Sequence, residues 1–454
     1  MAVGPTSNGN LYALSQGQQA TPLESETASK ELARHHGSIR HLLRALGPGL
    51  VAGASDDDPS SIGTYAMAGA ALGYGGLWIA WLTYPLMTAV QFLCAKVGLV
   101  SGSGLAGVLR EYYPRKLLYL VVTGLMIANT INAGADILGI AAGINLLVPL
   151  PLAVIIGPVG LAILALQIWG SYRFIATTFK WLTLSLFGYI AASFLARPDW
   201  GQVLRGTFVP QLEFNHQWLA MIVALLGTTI SPYLFFWQAS QEVEERTARG
   251  RRRLWQLIGT TDRELKYAAW DVNIGMFFSN VVMFFVILAS AATLHASGKT
   301  EVNSAAEAAE ALRPLAGNLA TALMALGFIG TGVLTVPILT TSASYAVCEA
   351  VGWNCSLDAK PSRAKGFYLV IAGSTLAALA IDYVGVNPMA ALFWTSVING
   401  LLAPPMLVVI MLVTNNRQVM GRRVNGWGIN TLGWATTALM FAAAIGLIVT
   451  WGQS

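Results

Sequence analysis

Asp56-Asp57-Asp58-Pro59-Ser60-Ser61 interrupts a stretch that is otherwise apolar across residues 42–72. Carboxylates inside a segment of membrane length are costly and mark function. Pro59 lacks a backbone donor and frees carbonyls one turn earlier, so the stretch reads as a membrane helix broken at half depth, its broken ends facing a polar cavity. Such breaks bind cations. The same residues have a blander reading, with Asp58 as a helix N-cap, Pro59 as the first helical residue, and Asp56 and Asp57 as favourable charges near the helix start. The apolar flanks, 42–51 before and 62–72 after, weigh against a cap at the surface.

Composition supports a membrane setting. The 454 residues are 55% hydrophobic and 11% charged, with a mean hydropathy of +0.58, against about 25% charged residues in soluble domains. Apolar windows of roughly 20 residues fall near 42–70, 74–98, 117–148, 150–168, 175–196, 217–240, 267–294, 318–350, 366–385, 389–413 and 428–450. This predicts an all-α polytopic membrane protein with eleven spans. With the N-terminus inside, every Lys and Arg except Arg197, Arg205, Lys299 and Arg313 falls on the cytoplasmic side, which places the C-terminus outside. The net charge of +5 thus reflects topology and gives no reason to invoke nucleic acid. The basic run at 249–253 reads as a loop anchor at anionic lipid. The polar residues 1–40 read as a disordered cytoplasmic tail without a cleavable signal.

Cys94, Cys348 and Cys355 lack metal-ligand spacing and imply no disulfide framework. His35, His36, His41, His216 and His295 lie in the tail or at span ends, away from intramembrane proton work.

A second break lies in the sixth span, Gly227-Thr228-Thr229-Ile230-Ser231-Pro232-Tyr233. Alone it reads equally as a proline kink whose Ser and Thr satisfy the freed backbone groups. Paired with the break in span one, it predicts a LeuT-type 5+5 inverted repeat, spans one to five at 41–200 and six to ten at 215–415, with an eleventh helix at 426–454. The substrate site then falls at the repeat interface near the bilayer midplane.

Across about residues 40–450 the chain resembles the Nramp family of divalent-metal transporters. Gly47-Pro48-Gly49 followed by Asp58-Pro59 is similar to the family's Gly-Pro-Gly and Asp-Pro-Gly-Asn motifs. Ala135-Asp136-Ile137-Leu138-Gly139 with Asn145-Leu146-Leu147 resembles the third-span pattern, Glu349 the acid closing span eight, and 414–421 the turn after span ten. The departures fall at the site. The family's metal-coordinating Asn is Ser61, its Met-Pro-His is Ser231-Pro232-Tyr233, and a second histidine is Gln238. The third-span aspartate of the proton route is Ala133, and its glutamate neighbour is Asp136. These changes resemble the Nramp-related magnesium transporters.

The chemistry agrees with that resemblance. A thioether favours soft ions, and its loss leaves oxygen ligands suited to hard cations. Magnesium keeps several waters and needs one or two carboxylates in a roomy site. Asp58, Ser60, Ser61, Ser231 and the carbonyls of Ser55 and Thr228 are the expected ligands, with Asp57 and Asn399 as further candidates. Tyr233 and Gln238 are expected along the exit, and Asp136, Asp271 and Asn280 as gate or helix-packing hydrogen bonders. The expected function is uptake of Mg2+, and with it Mn2+, by alternating access without proton coupling in a monomer. No enzyme activity and no cofactor besides the transported ion are expected. The alternatives are a proton-coupled Mn2+/Fe2+ symporter and a non-transporting membrane sensor. A sensor would need a soluble output domain, for which the tail and the 241–266 loop are too short.

Overall fold

The computed structural model describes residues 47–170, 184–248, 257–357, 359 and 361–451. The tail, the basic run at 249–253 and the start of the fifth span lie outside the described residues. Among the described residues the regular structure is helical, with no strand. Nine of its helices are long and apolar enough to cross a membrane.

The first span is broken into α1 (Pro48–Asp56) and α2 (Pro59–Leu72). Then come α3 (Trp78–Ser101), the short α4 (Leu105–Tyr112), α5 (Arg115–Leu147), α6 (Leu152–Trp169), and α7 (Gly188–Leu195) at the end of the fifth span. The short α8 (Trp200–Phe208) leads to the second broken span, α9 (His216–Thr229) and α10 (Pro232–Ala248). The chain continues through α11 (Asp262–Thr293), α12 (Ala320–Val351), α13 (Lys365–Asp382), α14 (Pro388–Asn415) and α15 (Trp427–Val449).

The broken spans are seated on unbroken helices. Both parts of the broken first span lie on α11, whereas in the broken sixth span α10 lies on α3 and α9 lies chiefly on α14. Among the described residues the third and eighth spans, α5 and α12, form the most extensive helix–helix contact. Small residues permit the closest crossings. A Cβ at Gly53 would collide with the Gly275 backbone, and one at Gly275 would collide with the Gly49 carbonyl, so α1 and α11 touch main chain to main chain. Gly227 and Gly400 do the same for α9 and α14.

The helix ends depart from the apolar windows where polar chemistry extends them. α10 continues to Ala248 because Gln238 donates to Glu242 one turn on (2.9 Å), and Arg246 donates to the carbonyls of Leu99, Leu257 and Gly259. α11 starts at Asp262 because Thr261 and Glu264 close a capping box.

Candidate functional site

The two breaks have the same construction. α1 ends at Asp56, Asp57 leaves helical geometry (φ −86°, ψ 57°), and Asp58 is extended (φ −73°, ψ 172°) before Pro59 starts α2. α9 ends at Thr229, Ile230 leaves helical geometry (φ −114°, ψ 63°), and Ser231 precedes Pro232, the first residue of α10. Proline at the first helical position loses no hydrogen bond there.

Asp58 is 2% exposed. Its Oδ1 accepts from the Ser61 amide (2.6 Å) and from Ser60 Oγ (2.7 Å), while the Tyr233 hydroxyl approaches Oδ2 at 3.5 Å. Both readings of Asp58 therefore meet in one side chain, which caps α2 and also stands at the break. Ser60 extends the network to α5: its amide donates to Asp136 Oδ1 (3.2 Å) and its Oγ lies 3.2 Å from Asn132 Oδ1.

Ser61 Oγ donates to the Asp56 carbonyl (2.6 Å) and touches the Thr228 hydroxyl, so the breaks close directly on one another. Ser231 Oγ serves its own helix, donating to the carbonyls of Gly227 (2.9 Å) and Thr228 (2.8 Å). The Ser55 carbonyl accepts from Tyr233 (2.9 Å) and from Thr335 Oγ1 on α12 (3.3 Å). Asn399 is buried on α14, beside the Ser396–Gly400 backbone against which Gly227 packs. The structure thus gathers Ser55, Asp58, Ser60, Ser61, Thr228, Ser231 and Tyr233 around the two breaks. Among the described residues no group of three or more His, Cys, Asp and Glu is arranged to hold a metal ion; the oxygens gathered at the two breaks are hydroxyls and carbonyls with the Asp58 carboxylate among them.

Four other expected residues lie outside this cluster or on its edge. Gln238 accepts from Gln91 (3.2 Å) and sits two turns along α10. Asp271 accepts from the Gly49 amide (2.7 Å) and so caps α1 from α11. Asn280 bonds the Met87 sulfur, the Met276 carbonyl and Thr83, locking α3 to α11. Asp57 turns toward α11, where Ser279 Oγ lies 3.3 Å from its Oδ1. Sequence reasoning missed Ser279, Asn132 and Thr335, whose only signal was a polar side chain within an apolar span.

A broken first and sixth span meeting beside a buried carboxylate, within a bundle of long apolar helices, defines a multi-pass membrane protein of the LeuT transporter type. The sequence model described as Natural resistance-associated macrophage protein-like, Nramp, matches residues 49–450, and the chain belongs to this family of divalent-metal transporters. Solved structures agree on the fold. The Eremococcus coleocola manganese transporter, in complex with an aromatic bis-isothiourea substituted compound, aligns at 19% identity and a TM-score of 0.68, covering 92% of this chain and 88% of that one. Mhp1, a nucleobase-cation-symport-1 family transporter in a closed conformation with bromovinylhydantoin bound, aligns at 13% identity and a TM-score of 0.55, covering 89% and 91%.

Proposed function

We propose that this chain takes up hard divalent cations, Mg2+ and with it Mn2+, by alternating access and without proton coupling. The observation that carries the reading is the Ser61–Thr228 contact, because it joins the two breaks through oxygen groups where a softer-ion site would use a thioether or imidazole. A structural likeness to a manganese transporter supports a divalent cargo.

In this reading Asp58 supplies the charge. Ser60, Ser61, Ser231, Thr228, the Ser55 carbonyl and Asn399 contact the ion directly or through its retained waters, while Asp57, expected from the sequence among them, faces α11. Ser61 and Thr228 part to admit it. The carbonyl ends of α1 and α9 add negative potential at the same place. Spans one, two, six and seven rock against the remainder, with Tyr233 and Gln238 along the exit and Asp271 and Asn280 holding the moving helices. The N-terminus is cytoplasmic, the C-terminus is outside, and the unit is a monomer of two repeats, 41–200 and 215–415, followed by a terminal span at 426–454.

The test is uptake into proteoliposomes against a panel of divalent cations, with lumenal pH recorded. Mg2+ entry at constant lumenal pH is the expected result, and Mn2+ entry without Mg2+ rejects the proposal. A second reading, a proton-coupled Mn2+/Fe2+ symporter, draws on Asp136, whose Oδ2 is buried without a hydrogen-bond partner beside Ser60. It would reveal itself as lumenal acidification that tracks metal entry.

A further inference from the structure

The three consecutive aspartates do not act as one group. Asp58 bonds Ser60 and Ser61, and through Ser60 it reaches Asn132 and Asp136 on α5. Asp56 faces the other way. Its Oδ2 accepts from Ser279 Oγ on α11 at 2.6 Å, and the same hydroxyl lies 3.3 Å from Asp57 Oδ1. Ser279 has one proton for two carboxylates. Asp56 is 0% exposed, and its Oδ1 has no hydrogen-bond partner. The Tyr65 hydroxyl, one turn beyond Ser61 on α2, is also fully buried and lacks a hydrogen-bond partner within normal distance, and it lies within the field of all three aspartates. Among the described residues no ion pair joins Lys, Arg or His to either carboxylate.

Two carboxylates buried at membrane depth with one hydroxyl donor between them require positive compensation. We infer that Asp56, Asp57 and Ser279 form a second site for a hard divalent cation, between α1 and α11 and separate from the Asp58 cluster. Its ligands are oxygens alone, and its two negative charges match a divalent ion that keeps part of its water. This assigns Asp57 to the α11 side of the break. The inference concerns binding and does not depend on which ion is transported.

The test is Mn2+ titration of the full chain in lipid nanodiscs, with free Mn2+ followed by electron paramagnetic resonance and Mg2+ used as competitor. Wild type is expected to bind two Mn2+ per chain, both displaced by Mg2+. Asp58→Asn and Asp56→Asn should each leave one, and the double variant none. Ser279→Ala, a small change in a helix interior, should weaken one class about 10-fold or more and spare the other. The inference is overturned if Asp58→Asn removes all binding, if Ser279→Ala leaves both affinities unchanged, or if wild type binds no more than the Asp58-dependent ion. It is also overturned if infrared spectra at saturating Mn2+ keep a protonated-carboxyl band that Asp56→Asn removes, because a proton then balances the pair. Binding that survives Asp58→Asn but is lost in Asp56→Asn, with no Asp58-dependent class, sustains this site and rejects the transport proposal.

Discussion

The Tyr233 hydroxyl donates to the Ser55 carbonyl at 2.9 Å, so the first turn of α10 is tied to the last turn of α1. A residue just after one break thereby satisfies a carbonyl exposed by the other. Tyr233→Phe keeps the ring and removes this bond, leaving Thr335 as the remaining donor. Stability should fall by about 1 kcal/mol, read from chemical unfolding in detergent, while cation uptake persists. Loss of uptake at unchanged stability would show that the hydroxyl serves the ion itself.

Asp58 combines a cap with a charge, and two substitutions separate these roles. Asn caps as well as Asp, whereas Ala costs about 1 kcal/mol at such a position. Asp58→Asn should fold like wild type and carry no divalent cation. Asp58→Ala should be expressed, be less stable and be equally inactive. Tracer uptake beside thermal melts decides the matter, and an active Asp58→Asn would reduce Asp58 to a cap.

Ser231→Met introduces a thioether at the second break. Cd2+ uptake should rise relative to Mg2+ uptake, because a soft ligand selects a soft ion. A competition assay in proteoliposomes reads the ratio. An unchanged ratio would place residue 231 out of reach of the ion.

The crossing of α1 on α11 leaves no room for a side chain at Gly275. Gly275→Val should cost about 1–3 kcal/mol through overpacking, seen as a lower melting temperature and a smaller monodisperse fraction in size-exclusion chromatography. A normal profile would mean that α1 shifts to accommodate it.

Uncoupled entry of a divalent ion moves two charges. An inside-negative potential favours it by about 2.3 kcal/mol per charge per 100 mV. Mg2+ uptake should therefore rise steeply when a potassium diffusion potential is imposed across proteoliposomes, and a flat response would indicate compensating charge movement.

Much of the architecture was legible because membrane spans announce themselves by length and hydropathy, and because Pro59 and Pro232 mark breaks that periodicity alone does not. The windows near 117–148 and 389–413 coincide with α5 and α14 to within a few residues. Polar extensions were not legible: α10 runs to Ala248 only because Arg246 finds carbonyls on α3 and on the loop before α11. At the site, the residues beside the prolines could be named, but their partners could not. Ser279 and Thr335 come from spans distant in sequence, and a lone hydroxyl in an apolar helix does not reveal which face it occupies. The sequence also suggested open space between the breaks. Small Ser and Thr side chains instead allow the half-helices to meet at Ser61 and Thr228.

The two breaks differ in who satisfies their orphaned carbonyls. The sixth span is self-sufficient, since Thr229 and Ser231 fold back on residues 225–228 of the same helix. The first span borrows: beside Ser61 of its own second half, α1 takes hydroxyls from Tyr233 on α10 and Thr335 on α12. Tilting α1 away must release all three donors together, whereas α9 can swing with its carbonyl bonds intact and gives up the Thr228 contact with Ser61. The stroke of this machine should accordingly be all-or-none at its first broken helix and graded at its second.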